Sequence, residues 1–172
     1  MSLSARAGRI YQLDPNSHTP GDRSFYLGGA TSLRGFHEDA VQPQDVSEEL
    51  RDAVRKCQGV LGPQNPACTS QARVAQAGGA SSGGDQFVSF TAELRVPVGQ
   101  SLEMAFFYDV GNLWAVPPYR FLKTLVLRDA MGVGLRWLTP IGRIAIDLGI
   151  NLAPDPLFGE PRLGPYFAID PL

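Results

Sequence analysis

The side chains of this chain best equipped for directed chemistry are few: Arg34 in the run Leu33-Arg34-Gly35-Phe36, the carboxylates Glu103, Asp109 and Asp147, and the pair Cys57 and Cys68. A guanidinium is a planar fork of donors that tolerates burial only where carboxylates receive it. The three carboxylates have no nucleophile or base placed beside them, and no Gly-x-Ser-x-Gly elbow occurs. Gly132-x-Gly134 lacks the third glycine and the following helix of a dinucleotide loop. No catalytic constellation is visible, so the chain reads as a protein that is not an enzyme. Cys57 and Cys68 share one polar segment, which reads as a disulfide in an oxidising compartment, the other reading being two free surface thiols. His18 and His37 are not spaced with them as a zinc site requires, so neither a metal nor a cofactor is expected.

Those residues need elements to position them. The chain has 172 residues and a formal charge of -2, with a pI near 5.6 and no cluster of Lys and Arg, which excludes a nucleic-acid partner. No apolar run reaches the roughly 18 residues of a membrane-spanning helix. A mean hydropathy of -0.08 is still compatible with barrel strands, because these alternate polar and apolar residues.

Composition divides the sequence into three parts. Residues 1–36 are rich in Gly, Pro and Asp and read as irregular, with only Ser24 to Leu27 extended. Residues 37–86 form a polar insertion. In it Val46, Leu50, Ala53 and Val54 recur at helical spacing, with Asp45 and Glu48 as a capping box, which predicts a helix over 46–57. Thr69 could cap a second helix through Gln71 to Gln76, ended by Gly78-Gly79 and the linker Ser81-Ser82-Gly83-Gly84.

From residue 87 to 172 the period changes to two. Val88, Phe90, Ala92, Leu94, Val96 and Val98 oppose Ser89, Thr91, Glu93 and Arg95. After the turn Gly99-Gln100, Leu102, Met104, Phe106, Tyr108 and Val110 continue the apolar face. A loop through Trp114, Pro117 and Pro118 to about Lys123 follows. Met131, Val133, Leu135 and Trp137 then alternate with Ala130, Gly132, Gly134 and Arg136, and Thr139-Pro140-Ile141-Gly142 turns the chain. Ile144, Ile146, Leu148, Ile150 and Leu152 oppose Arg143, Ala145, Asp147, Gly149 and Asn151, and a weaker last strand covers 164–170. The pattern is an all-β antiparallel meander of five strands. On periodicity alone it fits either a soluble sheet or a transmembrane barrel, although the face opposite the apolar one collects Gly and Ala with sparse charge, as a lumen would. Asp147 and Arg143 read as a solvated or paired set on that face.

Three ordered blocks resemble the Omp85 family of outer-membrane barrels. They are Phe25-Tyr26-Leu27-Gly28-Gly29-Ala30-Thr31-Ser32-Leu33-Arg34-Gly35-Phe36; then Glu93-Leu94-Arg95-Val96-Pro97 with Phe107-Tyr108-Asp109-Val110-Gly111-Asn112-Leu113-Trp114; and Gly132-Val133-Gly134-Leu135-Arg136-Trp137-Leu138-Thr139-Pro140-Ile141-Gly142. The resemblance implies that the strands of 87–172 are the last five of a sixteen-stranded transmembrane barrel, with 37–86 a small helical, extracellular loop insertion. It also implies that Arg34, with Gly35 and Phe36, folds into the lumen and pairs with Asp109 of the Phe107-x-Asp109-x-Gly111 strand motif, Gly28-Gly29 serving as the loop hinge. Without the resemblance, Arg34 is an exposed turn residue and Asp109 a strand end.

The implied function is insertion or translocation of client polypeptides across or into the bacterial outer membrane. The alternatives are a surface antigen or binding protein anchored by the barrel, and the translocator of an upstream enzyme domain. The implied partners are outer-membrane lipid, client outer-membrane or secreted polypeptides, and periplasmic partners bound through upstream domains. The opening Met1-Ser2-Leu3-Ser4 lacks a secretory signal, so the chain reads as a piece of a longer protein. Five strands leave two open edges through which the chain is expected to self-associate. The end at Pro171-Leu172 departs from the terminal aromatic residue usual in the family.

Overall fold

The computed structural model describes residues 1–14, 17–62, 65, 66, 68, 81–116, 125–140 and 142–170. Six strands form one antiparallel sheet in plain sequence order: β1 (Ser2–Arg9), β2 (Gln86–Pro97), β3 (Leu102–Trp114), β4 (Arg128–Thr139), β5 (Gly142–Asn151) and β6 (Leu163–Asp170). A helix, α1 (Gln44–Leu61), stands in the long excursion between β1 and β2.

The alternation along β2 to β5 sorts side chains onto two faces, and the register aligns like with like. Leu94 faces Phe106, Phe106 faces Val133, and Val133 faces Leu148, so one apolar band crosses four strands. That band is exposed, while Glu93, Asp109, Arg136, Asp147 and Asn151 on the opposite face are buried. A soluble sheet would bury the first set and wet the second. A continuous apolar surface of this extent on a sheet with a polar inner face is the pattern of barrel strands that meet lipid.

The hydrophobic cluster lies on the inner side. Leu27, Leu33, Phe36 and Val41 of the excursion pack on Leu113 and Ala130, with Phe87 against them. The β1–β2 connection therefore folds back into the concave side of the sheet. Tight connections join β2 to β3 and β4 to β5 at one end, where the N–H groups of Val98 and Gly99 donate to the Leu102 carbonyl. The long connections collect at the other end.

Several expectations are corrected. Ser2–Arg9, read as irregular, is a full strand paired with β2 from Ser2↔Glu93 to Arg9↔Gln86, so the chain supplies six strands rather than five. Its apolar alternation rests on Leu3, Ala5 and Ala7, too weak a signal when the partner strand lies far away in sequence. Ser24 to Leu27 makes only the isolated bridge Phe25↔Gly84. Trp114, placed in a loop, ends β3 and is buried.

The helix outruns 46–57 at both ends, and the capping box is not made. Pro43 is the N-cap, without a side-chain cap. The Asp45 carboxylate instead accepts the backbone N–H groups of Ala115 and Val116 at 2.9 and 2.7 Å, a tertiary use that outcompetes the local one. Cys57 and Cys68 form a disulfide. The expected second helix with Thr69, Gln71 to Gln76 and Gly78-Gly79, the loop through Pro117, Pro118 and Lys123, Ile141 of the turn, and Pro171-Leu172 lie outside the described residues.

The outer band yields a graded test. Val133→Arg should cost about 2–4 kcal/mol of folding stability in lipid, and Ser101→Arg at the tight-turn end about 0–1 kcal/mol. Urea titration of barrels folded into vesicles measures both, and equal costs would contradict a lipid-facing Val133.

Candidate functional site

The inner face gathers its charges at the middle of the sheet because the register brings them there. Glu93 and Arg95 share a face of β2, Asp109 lies on β3, Arg136 on β4 and Asp147 on β5. Into their midst the excursion sends Arg34. Its path is set by Gly28 and Gly29, with φ of 119° and 87°, values an L side chain rarely adopts. The Gly28 N–H donates to the Ser32 hydroxyl at 2.8 Å, and the Gly29 N–H to the Phe36 carbonyl at 3.1 Å, closing the loop on itself.

All three nitrogens of the Arg34 side chain donate hydrogen bonds. Nε and Nη2 form a fork onto the two Asp109 oxygens at 2.7 and 2.9 Å, and the Arg34 backbone N–H adds a third bond to Asp109 at 3.2 Å. Nη1 donates to Glu93 at 2.8 Å and to Asp147 at 3.2 Å. The guanidinium carbon lies 3.5 Å from the centre of the Phe107 ring, within range of a cation–π contact. Burial works against the charged guanidinium, but the Asp109, Glu93 and Asp147 carboxylates outweigh it, so Arg34 holds its proton more tightly than a free arginine.

The cluster extends to residues that sequence reasoning did not assign to it. Arg136 bridges Asp147, through both of its terminal nitrogens, to Glu93 at 3.2 Å, and Arg95 holds the other Glu93 oxygen at 2.6 Å. Asp147 thus pairs with Arg136 and Arg34 rather than with Arg143, which lies half-buried farther along β5. The carboxylates differ in consequence. Asp147 has a second arginine and Glu93 a second and a third, whereas among the described residues the fully buried Asp109 accepts its hydrogen bonds from Arg34. The signal available in the sequence was the inner-face position of each charge; which of them meet depends on strand stagger.

Space for the tip comes from a row of glycines. Phe107, Gly132, Gly149 and Gly164 sit opposite one another across β3 to β6. A β-carbon at Gly149 would lie 2.6 Å from both the Arg34 carbonyl carbon and the Gly35 nitrogen. At Gly35, with φ 121°, an added β-carbon would lie 3.0 Å from the Ala130 side chain and the Asn151 nitrogen and 3.1 Å from the Ile150 carbonyl carbon. Phe36 is buried in the inner cluster, with Arg128 over its ring, and Gly111 lies under Leu33. The structure therefore brings Arg34, Gly35, Phe36, Phe107, Asp109 and Gly111 together. Gly28 and Gly29 stand at the loop's entry, and the Cys57–Cys68 disulfide lies apart, at the far end of α1.

At the long-loop end α1 ties down the rim. The Gln44 side-chain oxygen accepts from the Trp114 indole N–H at 3.0 Å and from Asn112 at 3.4 Å, and Arg51 pairs with Asp155 of the β5–β6 connection at 2.6 Å. Among the described residues no group of His, Cys, Asp and Glu is arranged to hold a metal ion. The chemistry available is electrostatic docking of a loop into a polar interior.

The Omp85 superfamily domain matches residues 1–156 of the chain. The outer membrane protein assembly factor BamA of Neorickettsia risticii is 29% identical over 154 residues, which cover 86% of this chain and 16% of that protein. A SAM50-like protein of Schizosaccharomyces pombe is 26% identical over 163 residues, covering 89% of this chain and 27% of that protein. The crystal structure of BamA from Haemophilus ducreyi lacking POTRA domains 1-3 shares the fold, with a TM-score of 0.54 at 12% identity over 96% of this chain and 34% of that one. The chain spans less than a third of the length of either curated relative.

The unequal partnering of the carboxylates predicts unequal costs. Removing one partner of a buried ion pair typically costs about 3–5 kcal/mol, so Asp109→Asn should release the loop to added protease. Glu93→Gln, which leaves Arg34 its Asp109 fork, should cost clearly less. Limited proteolysis within residues 28–36 of the folded protein separates them, and equal cleavage of the two variants would refute the ranking.

Proposed function

The chain belongs to the Omp85 superfamily, and on that premise we propose that its strands are part of an outer-membrane barrel that assists insertion of client polypeptides, without covalent chemistry. The observation that carries the reading is the seat of Arg34. A barrel that serves only as an anchor has no need to draw a loop into its lumen and hold it there by carboxylates from three strands. The resemblance of the chain to an assembly factor over most of its own length supports the same reading.

In this reading Arg34, Gly35 and Phe36 lock the loop to the wall through Phe107, Asp109 and Gly111, and Gly28-Gly29 form its hinge. The lock braces β2 to β5 in one register while the apolar band stays in lipid. Residues 37–86 stand at the long-loop end, which we place outside the cell, with the tight turns towards the periplasm. The partners are lipid, client polypeptides, and whatever other parts of an assembly protein would recruit.

Arg34→Ala, Asp109→Ala and the double variant test it in a client-insertion assay on vesicles. Each single change should lower insertion about tenfold or more, because every ~1.4 kcal/mol removed from the seated state shifts its population tenfold. The double variant should be no worse than the more severe single one, since coupled residues are not additive. Independent, multiplying losses would sink the lock. Full insertion by all three variants would sink the function.

A further inference from the structure

Tyr166 stands on the inner face of β6, opposite Asp147 of β5. Its hydroxyl does two things at the loop tip: it accepts the Gly35 N–H at 2.8 Å and donates to the Phe36 carbonyl at 2.7 Å. The Phe36 carbonyl has a second donor in the Gly29 N–H. Among the described residues the Gly35 N–H donates to Tyr166. Gly164 makes the reach possible, because a β-carbon there would lie 2.8 Å from the Tyr166 Cζ, so the ring takes the space that a side chain would fill.

The position of β6 gives this contact its weight. β6 is hydrogen-bonded to β5, the strand that carries Asp147. On the inner face its two neighbours along the strand are Gly164 and Ala168, which offer no polar grip on the loop. The Arg34 side chain reaches β2, β3 and β5 but not β6. Among the described residues one phenol is thus the polar link between β6 and a loop tip otherwise fixed by charges on other strands. A buried N–H that loses its acceptor pays the full desolvation penalty, so the tip and the strand favour each other's docked state.

We propose that Tyr166 is a positioning residue that makes the seated Arg34 loop and the docked β6 strand one cooperative unit. Withdrawal of the loop loosens β6, and displacement of β6 frees the tip. The inference rests on the seat described under the proposed function for its meaning in the membrane, but it requires no client.

Hydrogen exchange read by mass spectrometry on the folded full chain in detergent micelles tests it, with Tyr166→Phe removing only the hydroxyl. Exchange should quicken roughly tenfold in both the Gly35 tip and β6, as expected for loss of one or two hydrogen bonds, with β2 and β3 unchanged. Arg34→Ala, which unseats the loop from the other side, should quicken β6 as well. Quickening of the tip alone in Tyr166→Phe, or no response of β6 to Arg34→Ala, would overturn the coupling. So would a uniform rise that includes β2 and β3, which marks general loosening, or a β6 effect seen in Tyr166→Ala but absent in Tyr166→Phe, which assigns it to ring packing. Since no client is read, loss of client insertion with this exchange pattern intact would count against the function and leave the coupling standing.

Discussion

A guanidinium drawn into the buried inner side of a sheet whose outer side is an exposed apolar band must be neutralised where it stops, and that requirement organises this structure. Asp109 meets it with both oxygens, but one carboxylate is not the whole account. Arg34, Arg95 and Arg136 face Glu93, Asp109 and Asp147, so the cluster is neutral only when the loop is in place. Without Arg34, two of the carboxylates keep an arginine and Asp109 keeps none. This cluster is thereby balanced for the seated loop and left one negative charge in excess without it. A wall built this way discriminates between the two states by charge as well as by shape.

The same requirement constrains the backbone. The charges come from four strands, and a one-residue slip of any strand would send its inner side chains to the lipid face. Glu93 in the lipid band, or Leu94 in the charge cluster, would each be costly, so the ion pairs and the apolar band specify one register between them. The glycine row belongs to that register. Gly132, Gly149 and Gly164 leave room for Phe107, for the Arg34–Gly35 backbone and for Tyr166 only because they lie directly opposite one another. Charge decides where the loop stops, and missing side chains decide that it fits.

How far the sequence disclosed this depends on the range of the forces involved. The strands β2 to β5 were legible because an apolar outer face and a polar inner face impose a period of two on each strand separately, and Ile144 to Leu152 carries that period without help from its neighbours. β1 was hidden for the opposite reason: Ser, Ala, Gly and Arg form a strand there because β2 supplies a hydrogen-bonding edge, a fact remote in sequence. Arg34 and Asp109 could be paired only through the family resemblance, since nothing local joins residues so far apart. Glu93, Arg136 and Tyr166 escaped because inner-face membership was visible but stagger was not. Asp45 shows how a sound local rule fails, since a carboxylate suited to cap its own helix is instead taken by the N–H groups of Ala115 and Val116.

The insertion follows from the same physics applied to the rim. Val41 and Pro43, both buried, join the seated tip to the start of α1 within a few residues, so the helix cannot be placed independently of the loop. Its first turn binds through the polar groups of Gln44 and Asp45, which take up the Trp114 indole and free backbone donors beyond β3. Its middle binds through Arg51 to the β5–β6 connection. Past that point Arg55, Lys56 and Val60 are exposed, and the disulfide between Cys57 and Cys68 closes the chain on itself away from the sheet. The part of α1 that meets the barrel is thus specified by buried polar groups in need of partners. The part beyond it carries the covalent link between Cys57 and Cys68.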